Sequence, residues 1–152
     1  MVAVIDFICI ILFIYIAVID IKKMIISNKV LTVLLPLAVI KQAVSAADIG
    51  IIMASTGVIA AIFTALYYNT KDFIGGGDVK LIFVLSVWLG YPQIVVALYL
   101  AFIAGGVFAA GYLLFKRRRT VNKIAFAPFL TAGAFISFLA CDAVLNFWQM
   151  II

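Results

Sequence analysis

The sequence contains no histidine and no glutamate, and its acidic residues are six aspartates. Two cysteines, Cys9 and Cys141, and three prolines complete a short inventory. Without histidine a Ser–His nucleophile is impossible, and two isolated cysteines cannot close a zinc site. No CxxC pair is present, and both cysteines lie in apolar stretches, where a free cysteine serves as a small packing residue. Charged residues make up 11% of the chain, against about 25% in soluble domains. What fills the space is apolar: 68% of 152 residues, with a mean hydropathy of +1.36. A globule of this length must turn most of its surface to water, so a soluble enzyme, a disordered chain and a nucleic-acid binder are excluded. Lipid is the solvent that this composition suits.

A membrane-spanning helix takes about 20 predominantly apolar residues. The apolar runs predict spans over 2–19, 30–46 and 49–68. A fourth region, 79–115, is too long for one span, and Gly90-Tyr91-Pro92-Gln93 divides it as a turn would. That yields a short fourth helix over 79–89 and a full fifth over 94–115; a sixth is expected over 124–147. The fold class is therefore an all-α bundle of six transmembrane helices, a single polytopic domain over 1–152. Small residues recur every four positions in two spans, at Ala97, Ala101, Gly105 and Ala109, and at Gly57, Ala61 and Ala65. Both stripes are expected to be packing faces.

Basic residues accumulate on the cytoplasmic side of a membrane. With the N-terminus outside, the cytoplasmic connections are 20–29, 69–80 and 116–123. They hold ten of the eleven basic residues, leaving Lys41 alone elsewhere. The cluster Lys116-Arg117-Arg118-Arg119 lacks interleaved aromatics and reads as an anchor near anionic lipid. The first span is not a cleaved signal peptide, since its charges follow the apolar run.

An aspartate within a bilayer is costly and marks a candidate functional group. Asp6, Asp48 and Asp142 fall near outer helix ends, where solvated interfacial charge is the expected role. Asp72 sits in a polar loop beside Lys71. Asp20 and Asp78 share the cytoplasmic boundary and, though distant in sequence, become neighbours if helices one and four pack together. Asp6 and Asp20, by contrast, are about 21 Å apart along one helix at 1.5 Å per residue. Asp78 lies within the run Gly75-Gly76-Gly77-Asp78-Val79-Lys80. Three glycines allow positive φ and leave room for a substrate backbone. A plain loop closed by an aspartate N-cap accounts for the same residues.

Three stretches together resemble the prepilin peptidases, membrane proteases of the GxGD aspartyl type, and in particular their small Tad/Flp-pilus members. Gly75–Lys80 matches GxGDxK. Asp20-Ile21-Lys22-Lys23-Met24-Ile25-Ile26-Ser27-Asn28 resembles the family's first-aspartate segment, with Ser27 where proline is usual. Phe126-Ala127-Pro128-Phe129-Leu130 resembles the start of its last helix. Presenilin-like proteins also carry GxGD, but with a YD motif; here Ile19 precedes Asp20.

The resemblance implies that Asp20 and Asp78 are a catalytic dyad and that Gly75, Gly77, Lys80, Asn28 and Pro128 shape the site. Lys80 could tune the dyad, hold the loop, or simply extend its charge to water. Two carboxylates at close range share one proton. The ionised member then activates water while the protonated member polarises the scissile carbonyl. No metal or cofactor is needed. The substrate implied is a pilin precursor, a short basic leader joined to an apolar helix, cut on the cytoplasmic side of a bacterial inner membrane. The larger bifunctional members carry a cysteine-paired insertion after helix one; only about ten residues separate helices one and two here, and N-methyltransferase activity is not expected. A small transporter or ion-conducting bundle using the same aspartates is the alternative from another class.

Overall fold

The computed structural model describes residues 1–45, 48–69, 75–116, 125–140, 143, 146 and 150. These residues form six α-helices: α1 Val2–Lys23, α2 Asn28–Val44, α3 Ile49–Asn69, α4 Gly76–Leu89, α5 Gln93–Lys116 and α6 Ala127–Leu139. Three of them, α1, α3 and α5, are long and apolar enough to cross a membrane. Asp72, Asp142 and Cys141 lie outside the described residues, as does most of the sixth expected span beyond Ala140.

The helices begin and end where local chemistry directs. Helix α1 continues past Asp20 by one turn and stops at Met24, whose left-handed backbone (φ 52°) lets its N–H reach the Asp20 carbonyl. Ser27, extended at φ −70° and ψ 115°, starts α2, so the connection between the first two helices is shorter than the sequence suggests. Helix α4 begins at Gly76, three residues before the expected Val79, with Gly75 as its N-cap. The expected break after it is real: Gly90 at φ 72° ends α4, and Pro92 follows before α5 resumes at Gln93.

The core runs along α4, whose face Leu81, Ile82, Leu85, Trp88 is almost wholly enclosed. Trp88 lies between Phe13 of α1 and Phe138 of α6, with ring centroids 5.1 and 5.0 Å away. Helices α5 and α6 approach so closely that a Cβ at Gly133 would strike the Ala97 carbonyl oxygen and come within 3.1 Å of the Ala101 nitrogen. Ala97, Ala101 and Gly105 are buried, so the α5 stripe is the packing face that its spacing implies. The α3 stripe is not: Gly57, Ala61 and Ala65 are exposed, and a Cβ at Gly57 would meet nothing within 4 Å. Helix α3 instead turns Thr56, Ile59 and Phe63 inward. Spacing identifies a face on which a backbone could approach, but the bulkier neighbouring face won the core.

The exterior is apolar. Phe7, Ile11, Val58, Ile62, Val107 and Phe108 are all at least half exposed, a surface that suits lipid and not water.

Candidate active site

Asp20 is the last buried residue of α1, 5% exposed. Its Oδ2 accepts a hydrogen bond from the backbone N–H of Ala127, 107 residues later, at 3.1 Å. Ala127 opens α6, and the first amides of a helix lack partners within it. Asp20 therefore caps α6 from another helix, where the positive end of the helix dipole favours a carboxylate. Pro128, in the first turn of α6, suits this geometry: it has no N–H to leave unsatisfied, and its fixed φ suits a helix start. The Phe126–Leu130 segment thus supplies the amide that holds Asp20. Sequence inspection marked Pro128 and missed Ala127, because a backbone donor leaves no side-chain signature.

Asp78 occupies the third position of α4, not the N-cap that the plain-loop reading requires. Its carboxylate turns back to the Gly75 amide, and a Cβ at Gly75 would lie 3.0 Å from Asp78 Oδ2. A side chain from the third helical position reaching the N-cap amide is half of a capping box. The Asp78 carboxylate lies within electrostatic reach of Asp20. Two carboxylates from distant segments, each held by a backbone amide at a helix start, thus share one end of the bundle. Among the described residues no ion pair within 4 Å reaches either of them.

The glycines act through space and not through backbone freedom. Gly75 has an ordinary φ of −70°, and Gly90 is the one described glycine with positive φ. This corrects the expectation drawn from three consecutive glycines. A Cβ at Gly77 would lie 3.0 Å from Ile26 Cβ, so its absence lets α4 approach the α1–α2 connection. Lys80 Nζ donates to Asn28 Oδ1 at 3.1 Å, tying α4 to the first residue of α2.

The sorting of aspartates by depth fails at one residue. Asp6 is not a solvated interfacial charge: it is buried and ion-paired to Lys41 at 2.9 Å, and it accepts from Trp88 Nε1 at 3.0 Å. Asp48 fits expectation, exposed and accepting from the amides of Gly50 and Ile51 at the start of α3. The one signal for the Asp6 pairing was Lys41 itself, the basic residue inside a span. No group of three or more potential metal ligands occurs among the described residues.

An all-helical membrane protein with an aspartate pair at one end of its bundle is the class that fold and site define. Residues 7–110 match the type IV leader peptidase family, and the chain belongs to that family. It is similar to the prepilin leader peptidase/N-methyltransferase of Bacillus subtilis (strain 168), 30% identical over 141 residues. That match covers 90% of this chain and 56% of the relative, so the chain spans about half the relative's length. The prepilin leader peptidase/N-methyltransferase of Aeromonas salmonicida (strain A449) is 30% identical over 78 residues, 51% of this chain and 27% of the relative. The corresponding protein of Aeromonas hydrophila is 28% identical over 78 residues, with the same coverage. No solved structure matches.

Proposed function

We propose that this chain is a membrane-embedded aspartic endopeptidase that removes the short basic leader from type IV, Tad/Flp-like, pilin precursors. The observation that carries this reading is the approach of Asp20 and Asp78 at one end of the bundle, with no cation paired to either among the described residues. Membership of the leader peptidase family supplies the substrate class.

The chemistry follows from the pair. One carboxylate, ionised, takes a proton from water as the water oxygen attacks the scissile carbonyl carbon. The other, protonated, donates a hydrogen bond to the carbonyl oxygen and then its proton. Collapse of the tetrahedral intermediate breaks the C–N bond, and the departing amine takes up a proton. Amides of Ala127 and Gly75 keep both carboxylates oriented through the cycle. Gly75, exposed at the start of α4, leaves room beside Asp78 for an extended precursor backbone, while Gly77 lets α4 seat against Ile26.

In this reading the six helices all span the inner membrane with the N-terminus outside, and the aspartates face the cytoplasm, where the leader resides. The bias of basic residues supports that orientation. The link between α1 and α2 runs only from Met24 to Ser27, with no room for a further domain, and methyl transfer is not part of the proposal.

The test is co-expression of a tagged pilin precursor with the wild-type chain, Asp20→Asn or Asp78→Asn. Wild type shortens the precursor; either variant, present in the membrane at normal level, leaves it intact. Processing by either variant refutes the dyad. Aspartate-dependent proton or cation flux in liposomes, with no cleavage, would favour the transporter.

A further inference from the structure

The second polar cluster lies far along α4 from Asp78. Lys41 Nζ donates to the Trp88 carbonyl at 3.1 Å, and Gln42 Nε2 donates to the Val87 and Trp88 carbonyls at 2.8 and 3.0 Å. These belong to the last turn of α4, whose carbonyls have no partner within the helix. The preceding carbonyl, Ser86, is taken by the Gly90 amide at 3.0 Å. Asp6 then holds Lys41 at 2.9 Å and the Trp88 indole at 3.0 Å. Lys41 also lies over the rings of Trp88 and Phe138, 4.7 and 5.0 Å from their centroids. Four helices, α1, α2, α4 and α6, therefore converge on the C-terminal end of α4.

We infer that Asp6, Lys41 and Gln42 are positioning residues: by capping the C-terminal end of α4 they set the tilt and depth at which its other end presents Asp78 to Asp20. This rests on the peptidase reading above. Bilayer interior offers no water to satisfy free carbonyls, so the Lys41–Gln42 pair fixes where α4 can end. Ten residues separate Asp78 from Trp88, about 15 Å of straight helix. A change of about 4° in the tilt of that lever moves Asp78 by about 1 Å. At the same end, Asp6 keeps Lys41 directed at the carbonyl and the indole fixed beside it.

The experiment measures precursor cleavage by purified full-length chain in liposomes, with kcat and KM determined separately. Asp6→Asn/Lys41→Met removes both charges, so no unpaired ion is left buried, yet it deletes the lysine cap. Its kcat is expected to fall about 10- to 100-fold, the scale of a 1 Å misplacement, with KM within about twofold because the leader does not touch this end. Lys41→Arg, which keeps a cation within reach of Asp6 and the carbonyl, retains most of kcat. Gln42→Leu, which changes no charge, lowers kcat by a smaller factor and decides the question if the double variant fails to insert. Wild-type kcat in either inserted variant, or a raised KM at unchanged kcat, overturns the inference.

A readout independent of cleavage separates this from failure of the peptidase reading. With Cys9 and Cys141 replaced by alanine, spin labels on cysteines introduced at the exposed Ile25 and Phe83 report the distance of α4 from the α1–α2 connection. The parent chain gives one narrow distance distribution, which shifts or broadens when Asp6→Asn/Lys41→Met is added. An unchanged distribution overturns the positioning role even if no precursor is ever cut; a shifted one in a chain that cuts no precursor refutes only the peptidase.

Discussion

The two ends of α4 treat carboxylates in opposite ways. At its C-terminal end Asp6 is buried against a lysine and an indole, every strong partner in place. At its N-terminal end Asp20 and Asp78 lie within electrostatic reach of each other, each steadied by a backbone amide and, among the described residues, by no cation within 4 Å. An amide orients a carboxylate without supplying a full opposing charge, which leaves it able to exchange a proton. A lysine at 2.9 Å supplies that opposing charge and holds the carboxylate in place. The difference separates a carboxylate held for structure from one held for chemistry, and burial alone does not draw that line, since Asp6 and Asp20 are both buried.

The largest expected effect tests that line directly. Asp20→Asn or Asp78→Asn lowers the rate of precursor cleavage about 10²- to 10⁴-fold, the contribution typical of a positioned acid or base, while thermal unfolding in detergent changes little. Asp6→Asn shows a far smaller loss of rate. Equal losses of rate in all three variants would erase the contrast.

Next comes stability, where the order reverses. Lys41→Met alone strands a buried Asp6 and destabilises the chain by about 3–5 kcal/mol, read as a lowered midpoint of thermal unfolding. Adding Asp6→Asn recovers much of the loss, because the stranded charge is gone. A single variant as stable as wild type would mean that the pair is solvated and not structural.

Glycine substitutions sharpen the comparison further. Gly77→Ala forces α4 away from Ile26 and costs about 1–3 kcal/mol, with reduced cleavage because Asp78 shifts with its helix. Gly57→Ala on the exposed face of α3 meets no neighbour and gains up to about 1 kcal/mol of helix propensity. Thermal unfolding of the two variants, measured side by side, should move in opposite directions.

Much of this arrangement was legible in the sequence, and the misses share one cause. Apolar run length located all six helices, and the break at Gly90 was visible as a turn. Asp20 and Asp78 stood out because acids at one membrane boundary are few. What escaped detection depends on partners distant in sequence: the Ala127 amide on Asp20, the Lys41 ammonium on Asp6, and the choice of α3 face. Residue type and spacing report a group's local preference, whereas its charge state and orientation are set by whatever the fold brings against it. The glycine run misled for a related reason. Its composition permits positive φ, but the fold uses the missing side chains as clearance.

The smallest effect concerns Lys80, for which the sequence left three roles open. Its ammonium donates to Asn28 at 3.1 Å in an exposed setting, so a lost bond changes cleavage by only about two- to fivefold. The informative quantity is the coupling. If Lys80 acts by holding α2 against α4, Lys80→Met and Asn28→Ala have similar effects, and the double variant is no worse than either alone. If Lys80 instead acts on the carboxylates by its charge, Lys80→Met costs far more than Asn28→Ala and the two losses multiply. Lys80→Arg separates the cases again: a charge acting at a distance survives the exchange, whereas a single bond aimed at Asn28 Oδ1 need not fit the broader guanidinium head. The structure, with the ammonium engaged on Asn28, favours the first outcome, which would make the lysine of the GxGDxK segment a brace for the helix that carries Asp78.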